Sequence, residues 1–272
     1  MKPDTGLRIC VGLLAVFCAV GLARVIAVTG LQVPLDPNEG WNAYHAVHAM
    51  TGGVLYPGGD ALLTNNYPPL SYYVVGALGS HIGDHIVAGR VLSFLATLAV
   101  GSGIFLAARR MKADIVCAVF AALMFIAGLL VFTDYVGMDD PQLLGHAVAM
   151  AGLMLILREP RPLRTVVLAA LLMTLAGFIK HNLVALPAAI ALWLALYDRR
   201  AAAQFLISGM LFALSGLAIF YLAYGTNLLD HLNSPRVWSF DLLASAVDNW
   251  LVWATVALSG TALLFVLRRD DR

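Results

Sequence analysis

Apolar residues in this chain come in long unbroken runs rather than in strict alternation. The runs at about 7–28, 86–108, 113–132, 143–157, 163–179, 183–196, 205–224 and 250–267 approach the roughly 20 residues that a helix needs to cross a bilayer. They predict eight membrane spans, the fourth and sixth being the shortest. The first run follows Lys2 and includes Arg8, as a signal peptide would. It is too long for one and lacks a small-residue cleavage site, so it reads as a retained first span.

The segment between the first two runs, 31–85, has a different texture. Gly40–Met50 carries Trp41, Tyr44, Val47 and Met50 at three-residue spacing, which predicts an amphipathic helix on the membrane interface. A stretch rich in Gly, Pro and Asn follows and predicts an irregular loop. Pro68-Pro69 then opens a second short helix, Leu70–His81, whose Tyr72 and Tyr73 suit the headgroup level. A further outer loop covers 225–249, and no internal repeat is visible. The predicted fold class is all-α: one polytopic transmembrane bundle over 1–272, with about eight spans and two interfacial helices in the first outer loop.

Composition agrees and excludes alternatives. Of 272 residues, 61% are apolar and 12% charged, with a mean hydropathy of +0.83, against roughly 45–50% and about 25% in soluble domains. A soluble enzyme and a disulfide-stapled secreted domain are ruled out. The net charge of +1, with no basic concentration anywhere, leaves no nucleic-acid partner. Cys10, Cys18 and Cys117 fall inside apolar runs and read as small hydrophobes.

The sparse charges set an orientation. Lys2, Arg8, Arg109, Arg110, Lys112, Arg158, Arg161, Arg164, Arg199, Arg200, Arg268, Arg269 and Arg272 all fall on one face, which is then cytoplasmic together with both termini. Four basic residues depart from this: Arg24, Arg90, Lys180 and Arg236. Arg24 and Arg236 read as snorkelling to lipid phosphate.

The outward segments hold the candidate chemistry. Asp36-Pro37-Asn38-Glu39-Gly40 is a rigid corner with two carboxylates, suited either to capping the next helix or to chemistry at the membrane boundary. Asp139-Asp140-Pro141 is a common helix start too, but it lies on the same face. Two such acidic corners can jointly activate a hydroxyl or hold a divalent cation, with Asp36 and Asp139 as the metal candidates. Lys180 and His181 occupy a tight outward turn that suits an anion. His45 and His48 share a helix face, as His81 and His85 nearly do. Such pairs can bind zinc, but no carboxylate stands at matching spacing, and headgroup-facing histidines are the plainer reading.

Taken in order, LDPNEGWNAYHAVHAMTGGVLYP, NYPPLSYY, GDHIVAGRVLSFLATLAVG, YVGMDDPQLL and FIKHNLVALP resemble the GT-C superfamily of integral membrane glycosyltransferases. Within it they are most similar to the polyprenyl-phosphate-sugar-dependent enzymes of the protein mannosyltransferase and aminoarabinose transferase type. The likeness covers about residues 8–200. Family members are usually longer, so this chain resembles a compact member, a fragment, or a module completed by a partner chain.

The resemblance implies sugar transfer from a polyprenyl-phosphate donor to an unidentified acceptor, with inversion, on the extracytoplasmic face of the cell (inner) membrane. It makes Asp36 the general base and places Glu39 beside it to orient acceptor or metal. Asp139 and Asp140 then position substrate, while Lys180, with Arg90 and His181, contacts the lipid-linked phosphate. No cofactor follows from it beyond an optional divalent metal. The alternatives are a transporter or flippase for a lipid-linked sugar and a non-catalytic membrane subunit. Transporters usually carry midplane charges and inverted repeats, which these spans lack.

Overall fold

The computed structural model describes residues 3–59, 61–132, 135–234, 239–249 and 251. The predicted eighth span, Leu251 apart, and Asp60, Asp134 and Arg236 lie outside the described residues. Those described form helices and connecting turns, with no strand among them. In the first of two compact units, Met1–Leu232, the helices are α1 (Pro3–Thr29), α2 (Pro37–Thr51), α3 (Leu70–Ile82), α4 (His85–Arg110), α5 (Ile115–Phe132), α6 (Pro141–Ile156), α7 (Leu163–Ile179), α8 (Ala185–Tyr197), α9 (Arg199–Tyr224) and α10 (Thr226–Leu232). In the second unit, Asn233–Arg272, residues 240–249 are helical and exposed.

Seven of the predicted spans are thus helices, and both predicted interfacial helices are present. Three helices are long and apolar enough to cross a bilayer, Thr5–Thr29, His85–Arg110 and Arg199–Tyr224. The apolar helices at Ile115–Val131, Pro141–Ile156, Leu163–Ile179 and Ala185–Tyr197 are shorter. At 1.5 Å per residue the 13-residue α8 reaches only about 20 Å. The fold is therefore a helical membrane-type bundle in which the count of eight spans is not reached by length alone.

Helix boundaries follow side-chain capping more closely than hydropathy. Helix α2 begins three residues before its predicted start because Asp36 accepts from Asn38 N at 2.8 Å and Pro37 opens the first turn. It ends at Gly52, whose φ of 74° lies in the left-handed region. Asp140 caps α6 in the same way, accepting from Gln142 N at 2.7 Å. Asp198 caps α9, which starts six residues earlier than the apolar run suggested. Helix α10 occupies part of the predicted last outer loop.

Packing in this unit is of helix on helix. Helices α6, α7, α8 and α9 share a core in which Ala149, Ala169, Ala170, Ala176, Ala201 and Ala202 surround Ile156, Met173 and Phe205. Small residues bring the helix backbones close, as is usual where lipid removes the hydrophobic drive for association. Gly145 of α6 is one example: a Cβ there would overlap the Leu183 side chain and meet the carbonyl of Ala176. Along α1 and α9 the apolar side chains point outward instead. Val20 is 67% exposed and Leu222 84%, the surface a lipid-facing helix presents.

Helix α2 turns its polar face into the bundle. Its buried residues are Glu39, Asn42, Ala43, His45 and Ala46, while Tyr44, Val47 and Met50 face outward. His45 is therefore an interior residue and not a headgroup-facing one; it lies between Trp41, at 4.6 Å, and Tyr72, at 5.1 Å. Burial and the charges of His48 and His231 pull its pKa down to about 4, so it is neutral at physiological pH.

The α6–α7 contact is directly testable. Gly145→Leu overpacks it and is expected to cost about 1–3 kcal/mol, read as a lower Tm of the detergent-solubilised protein. An unchanged Tm would contradict the close contact.

Candidate functional site

Two buried ion pairs meet at the turn before α6. The first joins α2 to α4. Arg90 Nε donates to Glu39 Oε1 and Nη2 to Oε2, both at 2.7 Å. Nη1 donates to the carbonyls of Val28, at 3.1 Å, and Leu31, at 2.7 Å, and Nη2 also reaches that of Val33, at 2.8 Å. All five guanidinium N–H groups are thus engaged, and the side chain is completely buried. Arg90 clamps the chain leaving α1 and has no donor left for the phosphate that the family resemblance assigned to it.

Glu39 is equally full. Besides Arg90 it accepts from Leu35 N at 2.7 Å and from Asp139 N at 3.2 Å. Burial pushes its pKa up, but the hydrogen bonds from Arg90, Leu35 and Asp139 and the Arg90 charge outweigh that, and Glu39 lies below the ordinary carboxylate range. It orients the corner that carries Asp36 rather than standing open to a ligand.

The second pair joins α6 to α7. Lys180 Nζ lies 2.7 and 3.0 Å from the two carboxylate oxygens of Asp140. The ammonium also sits 4.7 Å from the ring centre of Tyr67 and 5.8 Å from that of Tyr135, so two aromatic faces complete its surroundings. Both charged side chains are nearly inaccessible, at 6% and 2% exposure.

Asp139 stands between the pairs. Its carbonyl accepts from Asn42 Nδ2 at 2.6 Å, and its carboxylate rests on Gly89, where any Cβ would overlap it. Oδ2 has no hydrogen-bond partner among the described residues. Burial, followed by the charges of Glu39 and Asp140, holds its pKa well above the usual value. Gly137, at φ 76°, folds the preceding turn against Val25 of α1, a backbone conformation that favours glycine. Ser93 of α4 donates to the carbonyl of Tyr135 at 2.7 Å.

The structure therefore brings Glu39, Arg90, Asp139, Asp140 and Lys180 into one connected region. Asp36 stands at its edge as the half-exposed cap of α2. One of its oxygens accepts from Asn38 N; the other accepts no hydrogen bond among the described residues. Asn42, Gly89, Tyr67 and Tyr135 were not legible as site residues. Asn42, one turn beyond Glu39, and the Gly-Arg pair opening an apolar run were the available signals. No cluster of three His, Cys, Asp or Glu side chains able to hold a metal ion occurs among the described residues. Asp36 and Asp139, the metal candidates of the sequence, are not part of such a cluster.

Beside the second pair runs an apolar pocket of about 560 Å³. Pro68, next to Tyr67, and His181, next to Lys180, line one part of it. From there it follows Phe178, Thr174 and Ala170 on α7 and Phe220 to Phe205 on α9, roughly 22 Å of helix at 1.5 Å per residue. Its one hydroxyl on α7, that of Thr174, is spent on the carbonyl of Ala170 at 2.9 Å, so the walls offer almost no polar contact.

A family model described as 6-pyruvoyl-tetrahydropterin synthase related domain, membrane protein, matches residues 64–252. The chain belongs to this family of membrane proteins, and the matched stretch includes Arg90, Asp139, Asp140, Lys180 and the whole pocket. No curated protein and no solved structure matches.

Two measurements check this geometry. Arg90→Leu strands the Glu39 charge and is expected to lower stability by about 3–5 kcal/mol, with the double variant Glu39→Leu/Arg90→Leu recovering part of it. Additive losses would mean the pair is not coupled. A carboxyl whose folded pKa is raised favours the proton in the folded state, so the Asp139 contribution to stability falls as pH rises above its unfolded pKa of about 3.9 toward the folded one. Thermal melts of Asp139→Asn across pH should lose that downward slope; an unchanged slope would remove Asp139 as its source.

Proposed function

We propose that this membrane protein is an inverting glycosyltransferase that moves a sugar from a polyprenyl-phosphate donor to a hydroxyl acceptor on the extracytoplasmic face of the cell membrane. The observation that carries the reading is that His181 and Pro68, which line the apolar pocket, are the chain neighbours of Lys180 and of Tyr67, the ring beside its ammonium. A cation one residue from the wall of a long apolar groove suits a lipid-linked phosphate: charge at the head, isoprenoid along the walls. The clustering of charged outer-corner residues around it, in the order found in the GT-C resemblance, supports the reaction class.

The donor phosphate lies at Lys180, and its isoprenoid follows α7 and α9 down the pocket. Asp36, with one oxygen left by the α2 cap, takes the proton of the acceptor hydroxyl. The hydroxyl oxygen bonds to the anomeric carbon as the bond from that carbon to the phosphate oxygen breaks, and the bonding pair leaves on the lipid phosphate. Lys180 stabilises this charge. One displacement inverts the anomeric centre and needs no covalent enzyme intermediate. Glu39 and Arg90 hold the corner from which Asp36 works, since they bind the backbone leading into it at Val28, Leu31, Val33 and Leu35. Asp139 and Asp140 position the donor end, and His181 lines its path. Outward acidic corners and an inward basic face support an orientation with both termini in the cytoplasm.

Asp36→Asn tests the base, because asparagine keeps the α2 cap while losing basicity. In reconstituted membranes supplied with a polyprenyl-phosphate-sugar donor, it is expected to reduce transfer by about 10²–10⁴-fold at unchanged protein level. Full activity would sink the assignment.

A further inference from the structure

We propose that Asp140 makes the Lys180 site prefer a singly charged phosphodiester over a doubly charged phosphate monoester, and so favours release of the spent lipid phosphate. The inference rests on the reading of Lys180 as the phosphate ligand. It concerns what the resident carboxylate does to that ligand.

Lys180 is not a free cation waiting for an anion. Asp140 contacts its ammonium through both oxygens, at 2.7 and 3.0 Å. Nor can Asp140 simply swing aside. Its Oδ1 caps α6 through Gln142 N at 2.7 Å, and its own N–H donates to the carbonyl of Met138 at 2.8 Å. Pro141 follows it directly as the first residue of α6. A phosphate arriving at Lys180 must share the cation with a carboxylate that stays in place. The other buried cation of the region, Arg90, has spent every donor.

The repulsion between Asp140 and the ligand grows with the ligand's charge, and both lie where water screens little. A polyprenyl phosphate carrying a sugar is a diester with one negative charge. Once the sugar has gone, the same lipid is a monoester carrying about −1.5 to −2 at pH 7. Substrate and product differ most at this atom group, and Asp140 is the fixed charge that reads the difference. Tyr67 and Tyr135, flanking the ammonium at 4.7 and 5.8 Å, add no second charge to relieve it.

The test uses the purified full chain in detergent and three probes: undecaprenyl phosphate, its methyl diester, and inorganic phosphate. Asp140→Asn and Asp140→Ser both keep a capping side chain, so one serves if the other fails to fold. Wild type is expected to bind the diester more tightly than the monoester, and inorganic phosphate is expected not to displace either lipid. In Asp140→Asn the monoester should tighten by about tenfold and the diester by about threefold, narrowing the preference. Equal tightening of both lipids, or none, overturns the charge selection, and if Lys180→Gln still abolishes binding the phosphate site itself stands. Unchanged lipid binding by Lys180→Gln overturns the phosphate site and this inference together. Displacement by inorganic phosphate at equal concentration overturns the lipid as the source of the anion.

Discussion

The guanidinium of Arg90 is the constraint from which the outer half of this bundle is organised. An arginine completely removed from solvent near a bilayer boundary is tolerable only when every donor is met. Here the solution draws on two other parts of the chain. Glu39 supplies the countercharge from α2, while Val28, Leu31 and Val33 supply carbonyls from the segment leaving α1. Satisfying one side chain therefore fixes the angle at which α1 hands over to α2, and with it the corner that exposes Asp36. The same Glu39 carboxylate accepts from Asp139 N, so the clamp extends to the turn before α6.

That turn carries the second pair. Asp139 looks back to the Arg90 clamp and Asp140 looks forward to Lys180. Consecutive residues thus tie α2 and α4 to α6 and α7 without a covalent link. The two carboxylates have opposite fates because their surroundings differ. Asp140 faces a cation and the start of a helix; Asp139 faces Gly89 and two other acids, which favours its proton. Glycine at 89 is what allows the carboxyl to come so near the backbone of α4. Away from this polar knot, the pocket between α7 and α9 is nearly devoid of hydrogen-bonding groups, so the region has a charged head and an apolar tail. Membership of a membrane-protein family suits such a division.

Solvent explains the features that look inverted. In α2, glutamate, asparagine and histidine turn inward while tyrosine, valine and methionine turn outward. Such a helix would be unstable on a soluble protein, but at a membrane interface the apolar side meets lipid and the polar side finds partners in the bundle. The exposed aliphatic rows of α1 and α9 follow the same rule. Close packing of α6 on α7 through glycine and alanine reflects it too, since helices already solvated by lipid gain most from backbone proximity.

The apolar runs alone determined that the chain is a helical membrane protein, and approximately where seven of its helices lie. Length and hydrophobicity are local properties and need no partner. Capping carboxylates at Asp36, Asp140 and Asp198 were equally visible, but their power to start α2, α6 and α9 early could not be weighed against hydropathy. Sorting charges by face also brought Glu39, Arg90, Asp139, Asp140 and Lys180 into one set. Only the tertiary structure decided which carboxylate pairs with which cation, that Arg90 is saturated, and that His181, next to Lys180 in the chain, lines an apolar pocket. Those outcomes depend on distances between residues 40 to 100 positions apart in sequence. A charge pattern says which side of the membrane a side chain occupies; how completely it is neutralised depends on the neighbours that packing brings to it.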